Sequence, residues 1–171
     1  MRTFAKYRSL DILVNNAGVF ALGEITAFDD AAFERALAVN VRSVYYTIRA
    51  ASELMREDGR IINIGSVNAH RVPFMGASVY ALTKAALVGF TRGLARDLGP
   101  KRITVNTVEP GPVATDMNPE DGPMSESLRG MIALKRYGRP QEIAALVAFL
   151  AGPEGAFIIG ASLLADGGFD A

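Results

Sequence analysis

The chain has 171 residues, half of them hydrophobic, and its 18 Lys plus Arg balance 18 Asp plus Glu, which suits one ordinary domain with a real core. Neither sign gathers in a long block, so the electrostatic footprint of a nucleic-acid or anionic-membrane binder is missing and a small-molecule partner is expected. There is no cysteine, which excludes disulfides, zinc-thiolate sites and cysteine nucleophiles; no metal site is expected, and a reducing cytoplasm fits.

The start, MRTFAKYRSLDILVNN, has no apolar h-region, and no stretch approaches about 18 uninterrupted apolar residues, so neither a leader nor a membrane span is expected. Four short runs rich in Ile, Val and Leu and closed by turn residues read as strands: 10–16, 59–66, 102–110 and 161–168. Between the first two, Asp29 and Asp30 can cap a helix, and Phe33, Leu37, Val41, Val44, Tyr45, Ile48 and Leu54 repeat at helical spacing up to Asp58-Gly59. That segment is one long helix or two abutting ones, with Phe33, Tyr45 and Tyr46 as core and interface packing. Residues 79–98 form an Ala- and Leu-rich helix ended by Gly99-Pro100, and residues 140–151 form another with Pro near its first turn. The Pro- and Gly-rich stretch 111–130 has no sustained period and reads as a long functional loop or lid. Strands alternating with crossover helices predict an α/β fold with a parallel sheet.

Tyr80 and Lys84 lie four apart near a helix start, which puts them on one face with Cβ atoms about 5–6 Å apart. A free phenol has a pKa near ~10, and a neighbouring ammonium favours phenolate, so the pair can exchange a proton with an alcohol or carbonyl. Ser66, at the carboxyl end of the second strand, can donate to the same oxygen. His70 is the only histidine; with no Gly-x-Ser-x-Gly elbow around Ser66 it reads as a solvated loop residue.

These residues sit in an ordered set that resembles the short-chain dehydrogenase/reductase family from about Leu10 to Ala171. The set is Asn15-Asn16-Ala17-Gly18, Asn40, Ser66, Tyr80-x-x-x-Lys84, Pro110-Gly111-Pro112-Val113 with Thr115, and Asp166-Gly167-Gly168. The resemblance implies a Rossmann-like doubly wound sheet of which this chain carries the last four strands and their helices. It implies an NAD- or NADP-dependent oxidoreductase that moves hydride on a carbonyl/alcohol substrate. Tyr80 would be the general acid/base; Lys84 would lower its pKa and hold the nicotinamide ribose. Ser66 would position the substrate oxygen, and Asn40 would hold, through its main chain, a water linking Lys84 to solvent. Pro110, Gly111, Val113 and Thr115 would contact the nicotinamide amide and phosphates, and Asn16, Ala17 and Gly18 would pass beside the adenosine ribose. Asn16 and Gly18 also read as plain turn formers, and Asn40 as a polar residue satisfied within its helix.

A full-length family member opens with a strand, a Thr-Gly-x-x-x-Gly-x-Gly turn, a helix and a second strand. Residues 1–171 contain no such segment, so the expectation is a single, incomplete domain without the Gly-rich dinucleotide-binding unit, and weakened cofactor binding. Residues 1–9 would be the tail of the preceding helix. The strand 10–16 would then be an apolar edge, covered by self-association or by residues 1–9. Residues 111–124 and 132–154 also resemble a biofilm-dispersal-mediator-like subgroup close to 3-oxoacyl-carrier-protein reductases. That likeness implies a second reading, a non-catalytic cyclic di-GMP-binding regulator, beside a third, an inactive truncated product. A homo-oligomer, dimer or tetramer, is implied through the helices near 35–56 and 79–98. The substrate pocket would involve Val72, Pro73, Phe74, Met75, Met117 and Met124, an apolar wall.

Overall fold

The computed structural model describes residues 9–171. In chain order its main elements are strand β1 (Leu10–Asn15), helices α1 (Asp30–Leu37) and α2 (Ser43–Ser52), strand β2 (Met55–Ile64), helix α3 (Ser78–Leu98), strand β3 (Thr104–Pro110), helices α4 (Ser125–Met131) and α5 (Pro140–Ala151), and strand β4 (Ser162–Ala165). The strands pair in parallel in the order β1-β2-β3-β4. Each crossover carries helix, as parallel neighbours require.

Side chains alternate across a strand, and β2 shows the consequence. Ile61 joins Val44, Ile48, Leu87, Leu94 and Val105 on the face covered by α2 and α3. Its neighbour Ile62 turns to the other face with Val108 and Leu150, under α5. Both isoleucines are at most 1% exposed, and burying each contributes roughly 1.5–3 kcal/mol. Helices on both faces make the sheet doubly wound, and no helix among the described residues is long and apolar enough to cross a membrane.

Several elements differ from their sequence expectation. The long helical pattern ends at Ser52, not at Asp58, and between its two α-helical parts lies a π-helical stretch, Ala38–Arg42. Glu53 and Leu54 instead turn the chain back so that Met55 opens β2 opposite Leu10, with a register shift before Ile12 meets Arg60. Asp58 takes a left-handed φ of 61° there. Arg102, itself at φ 57° after the turn that follows Gly99-Pro100, holds this segment by donating to Asp58 at 2.9 and 3.0 Å and to Glu57 at 2.8 Å. The contact joins residues 44 and 45 apart in the chain, which local periodicity does not report. The stretch 111–130 is not wholly a loop, since α4 begins within it. Tyr45 and Tyr46 are exposed to 45% and 61%, so they are surface residues and not core.

Asp29 caps α1 as expected, its Oδ2 accepting from the Ala32 N–H at 2.8 Å, and α5 spans the predicted residues. Among the described residues β1 lies at a sheet edge, with Ile12 and Val14 more than 40% exposed. The expectations placed on the first residues, a helix tail or a cover for that edge, concern residues 1–8 and lie outside the described residues.

Candidate active site

The carboxyl ends of β1, β2 and β3 open into one cavity of about 830 Å³, within the usual range for small-molecule sites. Ligands in open α/β sheets bind at this end. Beneath it a polar ladder fixes the strand ends. Thr47 Oγ1 donates to Asn15 Oδ1 (2.7 Å), Asn15 Nδ2 to Asn63 Oδ1 (2.9 Å), and Asn63 Nδ2 to Thr91 Oγ1 (3.0 Å), which shares a hydrogen bond with Thr107 Oγ1 (2.8 Å).

The cavity brings together nearly all the residues singled out in the sequence. Asn16, Ala17 and Gly18 leave β1, Ser66 follows β2, and Pro110, Gly111, Val113 and Thr115 follow β3 along its walls. Tyr80 and Lys84 enter from the first turns of α3. Asn40 does not line the cavity. It is buried behind it, where Oδ1 accepts from the Val19 N–H (2.8 Å) and Nδ2 donates to the Val19 carbonyl (2.9 Å) and to Thr83 Oγ1 (3.0 Å). It is not satisfied within its own helix: the bonds of its side chain tie the segment after β1 to α3.

Ser66 is extended and caps the 3-10 turn Val67–Ala69, its Oγ accepting from the Asn68 N–H at 3.1 Å and donating to Asn68 Oδ1 at 3.3 Å. Burial pushes the Tyr80 phenol above its ordinary value, with a hydrogen bond to Ser66 opposing. The Lys84 Nζ lies 5.7 Å from the centroid of the Tyr80 ring. Lys84 is 5% exposed, and burial lowers its pKa from 10.5 to about 8. One of its three hydrogens goes to the Ile64 carbonyl at 2.9 Å. A Cβ placed on Gly18 would stand 3.5 Å from both Lys84 Nζ and Asn40 Oδ1, so the glycine leaves room beside the ammonium. An ammonium with two further N–H donors beside a roomy cavity, next to two hydroxyls, suits a ligand rich in hydroxyl oxygens such as a nucleotide ribose.

The remaining wall is apolar. Phe74, Met117 and Met124 line it as expected, whereas Val72 and Met75 are exposed to 45% and 82% and do not. Phe20, Leu128 and Phe169 belong to it as well. Phe20 meets Tyr80 edge to face, with ring centroids 4.7 Å apart; no local signal marks a pair so distant in the chain. His70 sits on an exposed turn, as expected, but it is not only solvated: its Nε2 lies 2.5 Å from Oε2 of the fully buried Glu109.

Residues 2–170 match a family model described as enoyl-(acyl carrier protein) reductase. The chain is 47% identical over 166 residues to the cyclic-di-GMP-binding biofilm dispersal mediator protein of Escherichia coli K12, covering 97% of this chain and 70% of that protein. A short-chain dehydrogenase/reductase from Serratia marcescens superposes with a TM-score of 0.97 at 55% identity, over 99% of this chain and 69% of that one. A short-chain dehydrogenase from Burkholderia cenocepacia in complex with NADP does so with a TM-score of 0.97 at 49% identity, with the same coverage of 99% and 69%. The chain thus spans about two thirds of the length of the proteins it matches.

Proposed function

The chain belongs to the short-chain dehydrogenase/reductase family, and on that footing we propose that it serves NAD(P)H-dependent reduction of a carbonyl, or oxidation of the matching alcohol. The observation that carries the reading is that Ser66, Tyr80 and Lys84 line one cavity together with Pro110, Gly111, Val113 and Thr115. The nicotinamide, when bound, supplies the hydride. Tyr80 then gives its phenolic proton to the carbonyl oxygen, so that the carbon gains the hydride, the oxygen gains the proton and the C=O π bond breaks. The phenol's ordinary pKa of 10.0 already leaves it protonated at neutral pH, the form that acts as an acid, and burial moves it further in that direction. Ser66 orients the oxygen by hydrogen bonding. Lys84 offers its two remaining N–H groups to the ribose, and Asn40 keeps the segment around Val19 in register with α3.

In the same reading Pro110, Gly111, Val113 and Thr115 hold the nicotinamide side, and Asn16, Ala17 and Gly18 lie toward the adenosine. The substrate is an apolar carbonyl compound, a choice supported by Phe20, Phe74, Met117 and Phe169 around the site. The assembly is a homo-oligomer, supported by Tyr46 and Leu82, exposed to 61% and 51% on α2 and α3.

A second reading is favoured by one comparison: the Escherichia coli relative is a cyclic-di-GMP-binding protein. On that reading the same cavity binds a dinucleotide without turnover. Isothermal titration of the chain with NADPH, NADH and cyclic di-GMP separates the two. Micromolar NADPH or NADH binding is the expected result; nicotinamide affinity no better than millimolar, with tight cyclic di-GMP binding, would replace the first reading by the second.

A further inference from the structure

Ladder pairing between β2 and β3 runs to Ile64 opposite Val108, and the Gly65 N–H adds one more backbone bond, to the Val108 carbonyl at 2.7 Å. Beyond it the two segments diverge around the cavity: one carries Ser66, the other Pro110 and Gly111. His70 and Glu109 reach across this divergence. His70 closes the 3-10 turn that Ser66 opens, its N–H donating to the Val67 carbonyl at 2.9 Å. Its ring Nε2 lies 2.5 Å from Glu109 Oε2, and Glu109 directly precedes Pro110.

We propose that His70 and Glu109 are positioning residues, a side-chain latch that holds the Ser66 turn against the Pro110–Gly111 turn so that the substrate and cofactor walls keep one spacing. The proposal rests on the reading of those walls given above.

Glu109 is 0% exposed, and a buried carboxyl is costly without a partner. The groups facing it are His70 from the turn, Arg92 from α3 and the Ser162 hydroxyl from β4, all favouring its charged form, while burial raises its pKa. Its Oε1 finds no hydrogen-bond partner among the described residues, so His70 is its main anchor. Gly65 is part of the device: a Cβ there would stand 3.1 Å from Glu109 Cγ and 2.7 Å from Thr107 Cγ2, so a larger residue would push Glu109 away from His70. The next residue, Arg71, fastens the same turn to the C-terminal segment, donating to the Phe169 carbonyl and lying 5.3 Å from the centroid of the Phe169 ring.

The chain has a single histidine, so its ring signals need no assignment. In the proton–nitrogen spectrum of the full chain at neutral pH, the Nε2 proton is expected downfield and slow to exchange with water. In Glu109→Gln it is expected to move upfield or exchange away. NADPH titrations of His70→Ala, His70→Gln and the unsubstituted chain then read the positioning. His70→Ala is expected to weaken NADPH binding ~10-fold, and His70→Gln, which keeps a donor at similar reach, to recover most of the loss. A ring proton that Glu109→Gln leaves unchanged would overturn the latch. Equal NADPH affinities in all three chains, or a glutamine variant no better than alanine, would overturn the positioning role. Failure of the unsubstituted chain to bind NADPH overturns the cofactor reading and the positioning role together, while the ring proton still reports separately on the bond itself.

Discussion

The Lys84 ammonium donates to the Ile64 carbonyl across 2.9 Å, tying the second turn of α3 to the last residue of β2. That bond takes one of the three hydrogens of a cation almost wholly removed from water, and the burial has consequences for both stability and pH.

Burial depresses the Lys84 pKa from 10.5 to about 8. The folded state therefore gives up this proton first. Between pH 8 and 10.5 the unfolded chain holds more protons, and stability rises with pH over that window. At pH 7 the charged side chain costs the fold about 3 kcal/mol. Replacing it by methionine, which keeps the stem, is expected to stabilise the fold by ~1–3 kcal/mol and to flatten the rise above pH 8. Urea denaturation of both chains from pH 7 to 10.5 measures this. A Lys84→Met chain less stable at pH 7 would show that the ammonium is stabilised by more than the Ile64 bond.

Tyr80→Phe removes the exchanging proton while keeping the ring packed against Phe20. Carbonyl reduction is expected to fall by more than ~10²-fold, with NADPH affinity changed little. Because the phenol pKa is raised, the alkaline limb of the rate profile is expected to follow Lys84, with activity falling as pH rises through about 8. Steady-state rates from pH 6 to 10 check both points. Near-normal turnover by the Tyr80→Phe variant removes Tyr80 from its role.

Phe20→Ala deletes an edge-to-face contact worth ~0.5–1.5 kcal/mol and opens the apolar wall beside Tyr80. KM for an apolar carbonyl substrate is expected to rise several-fold, with a smaller effect on kcat. Kinetics with one bulky and one small ketone test it, since loss of wall area should penalise the bulky one more. Equal effects on both would point to Tyr80 orientation instead.

Asn40→Ala leaves the Val19 N–H and carbonyl without their side-chain partner, while Thr83 Oγ1 keeps its bond to the Tyr80 carbonyl. Each buried polar group left unsatisfied costs ~1–3 kcal/mol, so thermal stability and NADPH affinity are expected to drop together. Calorimetry and titration on the same sample measure the two. A chain with unchanged stability would mean that water replaces the amide at little cost.

Much of this molecule was legible in its residues taken locally. Short runs rich in Ile, Leu and Val and closed by turn residues mark strands, so LDILVN and ITVNTVEP announced themselves; Pro140 and Gly152 bracketed α5; and the four-residue spacing of Tyr80 and Lys84 fixed them to one helix face. Other features depend on pairs far apart in the chain. The irregular start of β2 is braced by exposed ion pairs of Arg102 with Glu57 and Asp58; the edge contact of Phe20 with Tyr80, the side-chain bridges of Asn40 and the bond between His70 and Glu109 arise only once the parallel crossovers bring the carboxyl ends of β1, β2 and β3 side by side. Periodicity and turn chemistry record what each residue meets within its own element. Which polar side chains end up buried opposite one another is decided by the sheet order and by the need of every buried donor and acceptor to find a partner.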